Sequence, residues 1–268
     1  MLMDIFSYDF MLRAFTAGIT IGLIAPLIGC FLVAKRYSLI ADSLAHVSLA
    51  GVAIGVVLVI NPLVSALAVA VFIALLIEKL RAGKMVTGDV ALAMFLSSGL
   101  AVAVVLIGLS DNANVDLFSY LFGSITTVSL QDLWIILPLG VAVLIFIVLF
   151  YKELAYLAFD DESARVSGLP TKFLNQSLVM LTAITVVLSL RIVGGLLIGA
   201  LMVIPVAAAM QVARSFQQTI FYSVALGLLA VIGGLFASFY LNTAAGGTIV
   251  LISLLSFVAA AVWKKIPV

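Results

Sequence analysis

Ile40-Ala-Asp42-Ser-Leu-Ala-His46-Val-Ser-Leu-Ala-Gly51-Val-Ala-Ile-Gly55 is an apolar segment of membrane-spanning character. It carries a carboxylate and, four residues later, the only histidine of the chain. Residues four apart lie on one helix face, so Asp42 and His46 point the same way. A charged or titratable side chain within a membrane span costs at least ~2.5 kcal/mol and normally faces a cavity, a partner or a pathway. A carboxylate oxygen and an imidazole nitrogen together make a pair of ligands for a divalent transition metal. One pair does not close a four-ligand shell, whereas two copies of the chain meeting on a shared axis would bring two Asp and two His to one point. Two plainer readings stand beside this one. Asp42 is also a favoured residue for capping a helix start, and His46 suits a polar position near the membrane interface, bonded to a neighbouring helix.

The composition around this segment is that of an integral membrane protein. Hydrophobic residues make up 65% of the 268 and charged residues 9%, where a soluble domain has roughly a quarter charged. The net charge of +1 is spread over loops, which gives nucleic acid no basic patch to bind. Cys30 is the only cysteine and sits in an apolar run; it has no partner for an internal disulfide or for a zinc or redox motif. Asp4 and Asp9 precede the first apolar run and no small-residue cleavage site ends it, so that run reads as a retained span and not as a cleaved signal.

A span needs about 20 apolar residues. On that basis the chain is an all-α, polytopic transmembrane helix bundle, a single transmembrane domain over residues 1–268. Spans fall near 11–34, 41–60, 62–80, 89–109, 131–151, 173–190, 193–213, 219–241 and 246–263. That makes nine, or eight if a pair flanking Asn61-Pro62 or Arg191 is one element. With nine spans and the N-terminus outside, Lys35, Arg36, Lys79, Arg81, Lys84, Lys152, Arg165, Lys172, Arg214, Lys264 and Lys265 all lie on the cytoplasmic side. Of the 13 basic residues, only Arg13 and Arg191 fall elsewhere, and Asp4, Asp9, Asp111, Asp116 and Asp132 fall outside. The positive-inside rule therefore sets N-out, C-in. Gly18/Gly22, Gly51/Gly55 and Gly195/Gly199 read as small-residue contacts that let helices of one subunit approach closely.

Two non-spanning stretches carry information. Residues 118–128 follow an outer loop at 110–117 and are too short to cross. They fit a re-entrant element roofing a pathway, where backbone polar groups are satisfied by protein, or equally an interfacial helix anchored by Tyr120. The cytoplasmic loop 152–172 contains a short helix with both ends marked. Asp160 is its cap, Asp161 and Glu162 occupy its first turn, Arg165 lies near its end, Gly168 suits the position after it and Pro170 prevents its continuation. Such an element is either a docking handle for a soluble partner or a link between spans. No phosphate-binding loop, nucleophile elbow or second histidine occurs; Arg81-Ala-Gly83-Lys84 is not a Walker motif. The chain reads as one component of a larger machine and not as an enzyme.

Four motifs in order now carry a resemblance. They are Lys35-Arg36-Tyr-Ser-Leu-Ile-Ala-Asp42-Ser-Leu-Ala-His46-Val-Ser-Leu-Ala-Gly51-Val-Ala; Val115-Asp116-Leu-Phe-Ser-Tyr120-Leu121-Phe122-Gly123; Phe159-Asp160 with Ala164 and Gly168; and Val193-Gly194-Gly195-Leu-Leu-Ile-Gly199-Ala-Leu-Met-Val-Ile-Pro205 running to Ala207-Ala208-Ala209. Over nearly its whole length the chain resembles the membrane permease of the bacterial ABC importers for zinc, manganese and iron(II), its wording closer to the zinc branch.

The resemblance implies a homodimer in the bacterial inner membrane, two cytoplasmic ATP-binding subunits and an extracytoplasmic metal-binding protein. Asp42 and His46 would then contribute to a metal site on the path. The helix containing Asp160, Asp161, Glu162, Ala164, Arg165 and Gly168 would seat in an ATPase cleft, with Tyr120, Leu121, Phe122 and Gly123 as a candidate outer gate. No cofactor is bound permanently; Zn²⁺, or Mn²⁺ or Fe²⁺, is the cargo, received near 110–128 and passed by alternating access. Hydropathy places Asp42 close to the inner end of its span, so a deep site requires that helix to start further into the membrane. Two rivals predict otherwise: an ion-gradient-driven transporter needs no ATPase, and a non-transporting scaffold is indifferent to changes at Asp42 or His46.

Overall fold

The computed structural model describes residues 7–83, 88–109 and 117–265. Of the expectations above, those on Asp4, Lys84, Asp111, Val115 and Asp116, and on most of the loop 110–117, lie outside the described residues. Twelve helices run in order: α1 (Asp9–Ala34), α2 (Ile40–Val57), α3 (Pro62–Ala82), α4 (Gly88–Gly108), α5 (Leu117–Phe122), α6 (Leu130–Leu149), α7 (Tyr151–Phe159), α8 (Asp161–Val166), α9 (Thr171–Ser189), α10 (Ile198–Val212), α11 (Phe216–Leu241) and α12 (Ala245–Lys265). Eight of them, α1 to α4, α6, α9, α11 and α12, are long and apolar enough to cross a membrane. α10 is apolar but has only 15 residues.

Local chemistry sets several boundaries. Asn61 accepts hydrogen bonds from the Leu63 and Val64 N–H groups, and Pro62 occupies the first helical position, where its missing N–H costs nothing. The division at Asn61-Pro62 is therefore real. Ser129 and Asp132 form a reciprocal capping box at the start of α6. Ser215 caps α11, which ends on Asn242 in the left-handed region.

In a membrane, helices are held by close packing and not by the hydrophobic effect, and small residues supply that packing here. Gly18 and Gly22 of α1 lie under Val231 of α11, and Gly51 and Gly55 of α2 press on the backbone of α3. A methyl group at Gly51 would stand 2.6 Å from Ala66 Cα. These two pairs act within one subunit, as expected. Gly195 does not belong to such a pair, because it lies in a turn before α10 and not in a helix.

The helix ends sort by charge. Lys35, just after α1, reaches α8 through a 3.3 Å ion pair with Asp161. Phe31 near the end of α1 meets Phe216 at the start of α11, Phe150 after α6 meets Phe173 at the start of α9, and Lys264 of α12 donates to Gln211 of α10. The basic residues gather at this end. At the opposite end Tyr8 meets Phe239 of α11, and Arg191 meets Asp132.

Two elements differ from expectation. The stretch 152–159, expected as part of a loop, belongs to the helix α7; a break at Phe150 lets its buried Leu154 and Leu157 fold back onto the bundle. The span expected over 193–213 begins only at Ile198, because 190–197 is a turn structure built against α5.

Candidate functional site

α2 is packed by α3, α4, α9 and α10, and from Ile40 to Gly55 every residue is buried except Asp42, His46 and Ile54. Those three fall on one side of the helix, so the polar pair lies on its less enclosed face. α4 presses on this part of α2 at Gly99, where an added methyl would lie 2.8 Å from the His46 carbonyl carbon. α10 presses at Gly199, where a methyl would overlap Asp42 Oδ1. Ser43, on the buried side, donates to the Leu92 carbonyl of α4 at 2.9 Å and fixes the rotation of α2.

This packing sets the depth. Asp42 occupies the first turn of α2, yet Gly199 beside it lies about 20 Å along α10 from Val212 at the basic end. Gly99, beside His46, lies about 16 Å along α4 from Gly88. Ser43, beside Asp42, meets α4 at Leu92, about 6 Å along that helix from Gly88, so the pair lies between the first turn of α4 and its middle.

His46 Nδ1 is buried and has no hydrogen-bond partner among the described residues. An unsatisfied buried ring nitrogen is costly and holds a lone pair, or an N–H, that no described residue satisfies. Among the described residues no three His, Cys, Asp or Glu side chains group to hold a metal. Asp42 and His46 thus stand as a half-buried polar pair on one face of α2.

Above this site, at the end away from the basic cluster, α5 and the 190–197 turn form a brace. Gly195 N donates to Tyr120 O at 2.7 Å, Leu196 N to Leu121 O at 3.1 Å, and Ser124 N to Arg191 O at 3.0 Å. These bonds satisfy backbone groups that no helix satisfies. Gly123 and Gly194 have φ of 73° and 87°, and a methyl on either would overlap the opposite strand of the brace; only glycine fits both the angle and the space. Tyr120 is buried, with the Arg191 guanidinium 4.7 Å from its ring centre. Arg191 also faces the buried Asp132 carboxylate at 3.5 Å. Leu121 is half-buried and Phe122 is exposed, stacked on Phe118. The brace closes the gap between α9 and α10 and is continuous with α12, whose Gly246 touches Val193 and Phe122. Arg191 and Asp132 were not singled out as site residues, although Arg191 stands apart from the basic loops and Ser129-x-x-Asp132 is a legible capping box.

At the basic end α8 is built as its sequence indicates. The Asp160 carboxylate accepts from the Ser163 N–H at 2.9 Å and caps the helix; hydrogen bonds from Ser163 hold its carboxyl below the usual range. Ala164 is fully buried, Glu162 and Arg165 are exposed, and Gly168 ends the turn at φ 83°. Asp161 accepts from Asn175 Nδ2 at 3.0 Å and from Lys35 at 3.3 Å. Burial pushes the Asp161 carboxyl up, but these two partners outweigh it and hold the group below its ordinary value. Burial pulls the Lys35 ammonium down against the attraction of Asp161. α8 is thus tied to the residue that follows α1 and to α9.

A profile of the ABC 3 transport family matches residues 7–264. The chain belongs to the ABC 3 transport family. Among its relatives in that family, a probable metal transport system membrane protein of Treponema pallidum is 40% identical over 92% of both chains. The manganese import system permease protein ScaB of Streptococcus gordonii is 34% identical, over 94% of this chain and 91% of that one. The high-affinity zinc uptake system membrane protein ZnuB of Haemophilus influenzae is 32% identical, over 94% and 96%. In structure, this ABC 3 chain is similar to a chain of PsaBC from Streptococcus pneumoniae in complex with Fab, with TM-score 0.86 and 31% identity over 97% of this chain and 95% of that one.

Proposed function

We propose that this chain is the permease subunit of an ABC importer that moves a divalent transition metal into the bacterial cytoplasm by alternating access. The observation that carries the reading is the Asp42/His46 pair: two half-buried polar side chains on one face of a largely enclosed helix, with a buried unpartnered imidazole nitrogen. A second copy of the chain completes a four-donor site of two Asp and two His. The site is suited to transit, since passage requires binding strong enough to enter and weak enough to leave.

In this reading the basic end faces the cytoplasm and α10, together with the 190–197 turn, makes a ninth crossing. The N-terminus is then outside and the C-terminus inside the bacterial inner membrane. A cytoplasmic ATPase seats on α8, whose motion reaches α2 through Lys35 and the short connection 35–39. An extracytoplasmic metal-binding protein delivers the ion at the opposite end, over the Tyr120–Gly123 brace, which acts as the outer gate. Zinc is the ion assigned first, from the Asp42-x-Leu-Ala-His46 wording. Manganese is the second reading, supported by the 34% identity to a manganese permease and by the carboxylate's preference for harder ions.

The test is uptake of Zn²⁺ and Mn²⁺ by vesicles that hold this chain with its ATPase. Asp42→Ala/His46→Ala is expected to abolish ATP-dependent uptake while the complex still assembles. Normal uptake by the double variant would overturn the assignment, and uptake without ATPase would place the chain in another transport class.

A further inference from the structure

At the basic end, a cleft of about 1050 Å³ opens between α3, α8 and the start of α9. Its floor is apolar and its rim is cationic. The floor comes from Phe72 and Leu75, which belong to an exposed stripe along α3, Val64-Ala68-Phe72-Leu75-Lys79, at helical spacing. Phe72 is 67% exposed. This stripe runs from the opposite end of a helix long enough to span a membrane and ends on the lysine. The rim carries Lys79, Arg165 and Lys172, all exposed and without an ion-pair partner among the described residues. Both acids that line the cleft are already engaged. Glu78 is buried and takes both its bonds from Arg81, at 3.0 Å each; Asp161 is held by Lys35 and Asn175. The cleft therefore has unneutralised positive charge above an apolar track.

We propose that this cleft is a binding site for an anionic phospholipid, its phosphate head between Lys79 and Lys172 and an acyl chain along the Phe72–Leu75 stripe of α3. Basic clefts between helices at a membrane surface attract anionic headgroups, and the continuous apolar stripe selects a lipid over a water-soluble anion. A soluble partner would satisfy the rim but leave the stripe facing hydrocarbon. Because α8 forms one wall, an occupied cleft buttresses the element that ties Lys35 to the rest of the end. The inference rests on this surface alone and not on the identity of a transported ion.

The experiment is a native mass-spectrometric titration of the full chain in detergent with phosphatidylglycerol and with phosphatidylcholine of the same acyl chains. The wild type is expected to prefer the anionic lipid by about 30-fold, from roughly a fivefold contribution per neutralised lysine. Lys79→Gln/Lys172→Gln is expected to bring the two lipids near parity with an unchanged gel-filtration profile. Lys152→Gln, an exposed lysine at the same end outside the cleft, is expected to keep the preference. Equal binding by the wild type, a preference that survives in the double variant, or an equal loss in Lys152→Gln overturns the site. Displacement of the lipid by millimolar inorganic phosphate also overturns it, as that marks a free-anion site.

Discussion

Gly199 meets Asp42 so closely that a single methyl group on its α-carbon would occupy the position of the carboxylate Oδ1. The absence of a side chain on α10 is thus what lets a carboxylate stand against that helix. Gly199→Ala is expected to push Asp42 off its rotamer, costing about 1–3 kcal/mol of packing strain. Metal uptake should fall at least tenfold while assembly with the ATPase persists. The check is uptake against metal concentration for Gly199→Ala and for the distant Gly247→Ala, which meets nothing and should behave as wild type.

Arg191 is the counterion of a carboxylate that is almost fully buried. Removing one partner of a buried pair costs roughly 3–5 kcal/mol; Arg191→Ala should lie at the low end, because the Ser129 N–H still binds Asp132 at 3.0 Å. A thermal-shift measurement should show lower stability for Arg191→Ala and partial recovery in Arg191→Ala/Asp132→Asn. An unaltered melting profile for the single variant would mean the pair does not hold the brace.

Gly194 carries both a left-handed backbone and a carbonyl contact with Leu121. Gly194→Ala should separate the 190–197 turn from α5 and raise the exchange rates of the Gly195 and Leu196 amides, which donate to Tyr120 and Leu121. Hydrogen exchange across 190–197 measures this directly. Protection equal to wild type would show that the turn holds without the brace.

Asp161 links α8 to Lys35, and its carboxyl is held below an ordinary value of 3.8. A depressed carboxyl pKa contributes stability that is present above the unfolded value and lost as pH falls through the folded one. Protection of the α8 amides, normalised to intrinsic exchange, should therefore hold above pH ~4 and drop below it. The drop should be a few-fold at most, since Asp161 is more than half exposed and an open ion pair is worth at most ~1 kcal/mol. Asp161→Asn should lack that pH step, and its persistence there would assign the step to another group.

Much of this was legible in the residues themselves. Period and hydropathy located the long helices because a membrane core demands unbroken apolar length. Asp160, Gly168 and Pro170 bracketed α8 because capping is chemistry between near neighbours. α7 escaped because Tyr151–Phe159 is too short and too mixed in polarity for a hydropathy count, and its amphipathic face has meaning only against the bundle.

The sequence by itself determined that a carboxylate and an imidazole share a helix face, since that follows from 3.6 residues per turn. Its apolar length and its end signals likewise located the long helices and α8. Only the tertiary structure decided that this face is the half-open one along the buried part of α2, and that Gly99 and Gly199 make room beside it. The physical reason is that depth and enclosure are properties of contacts between helices distant in the chain. The fit of a bare α-carbon of α10 against Asp42 has no signature in the spacing of either segment.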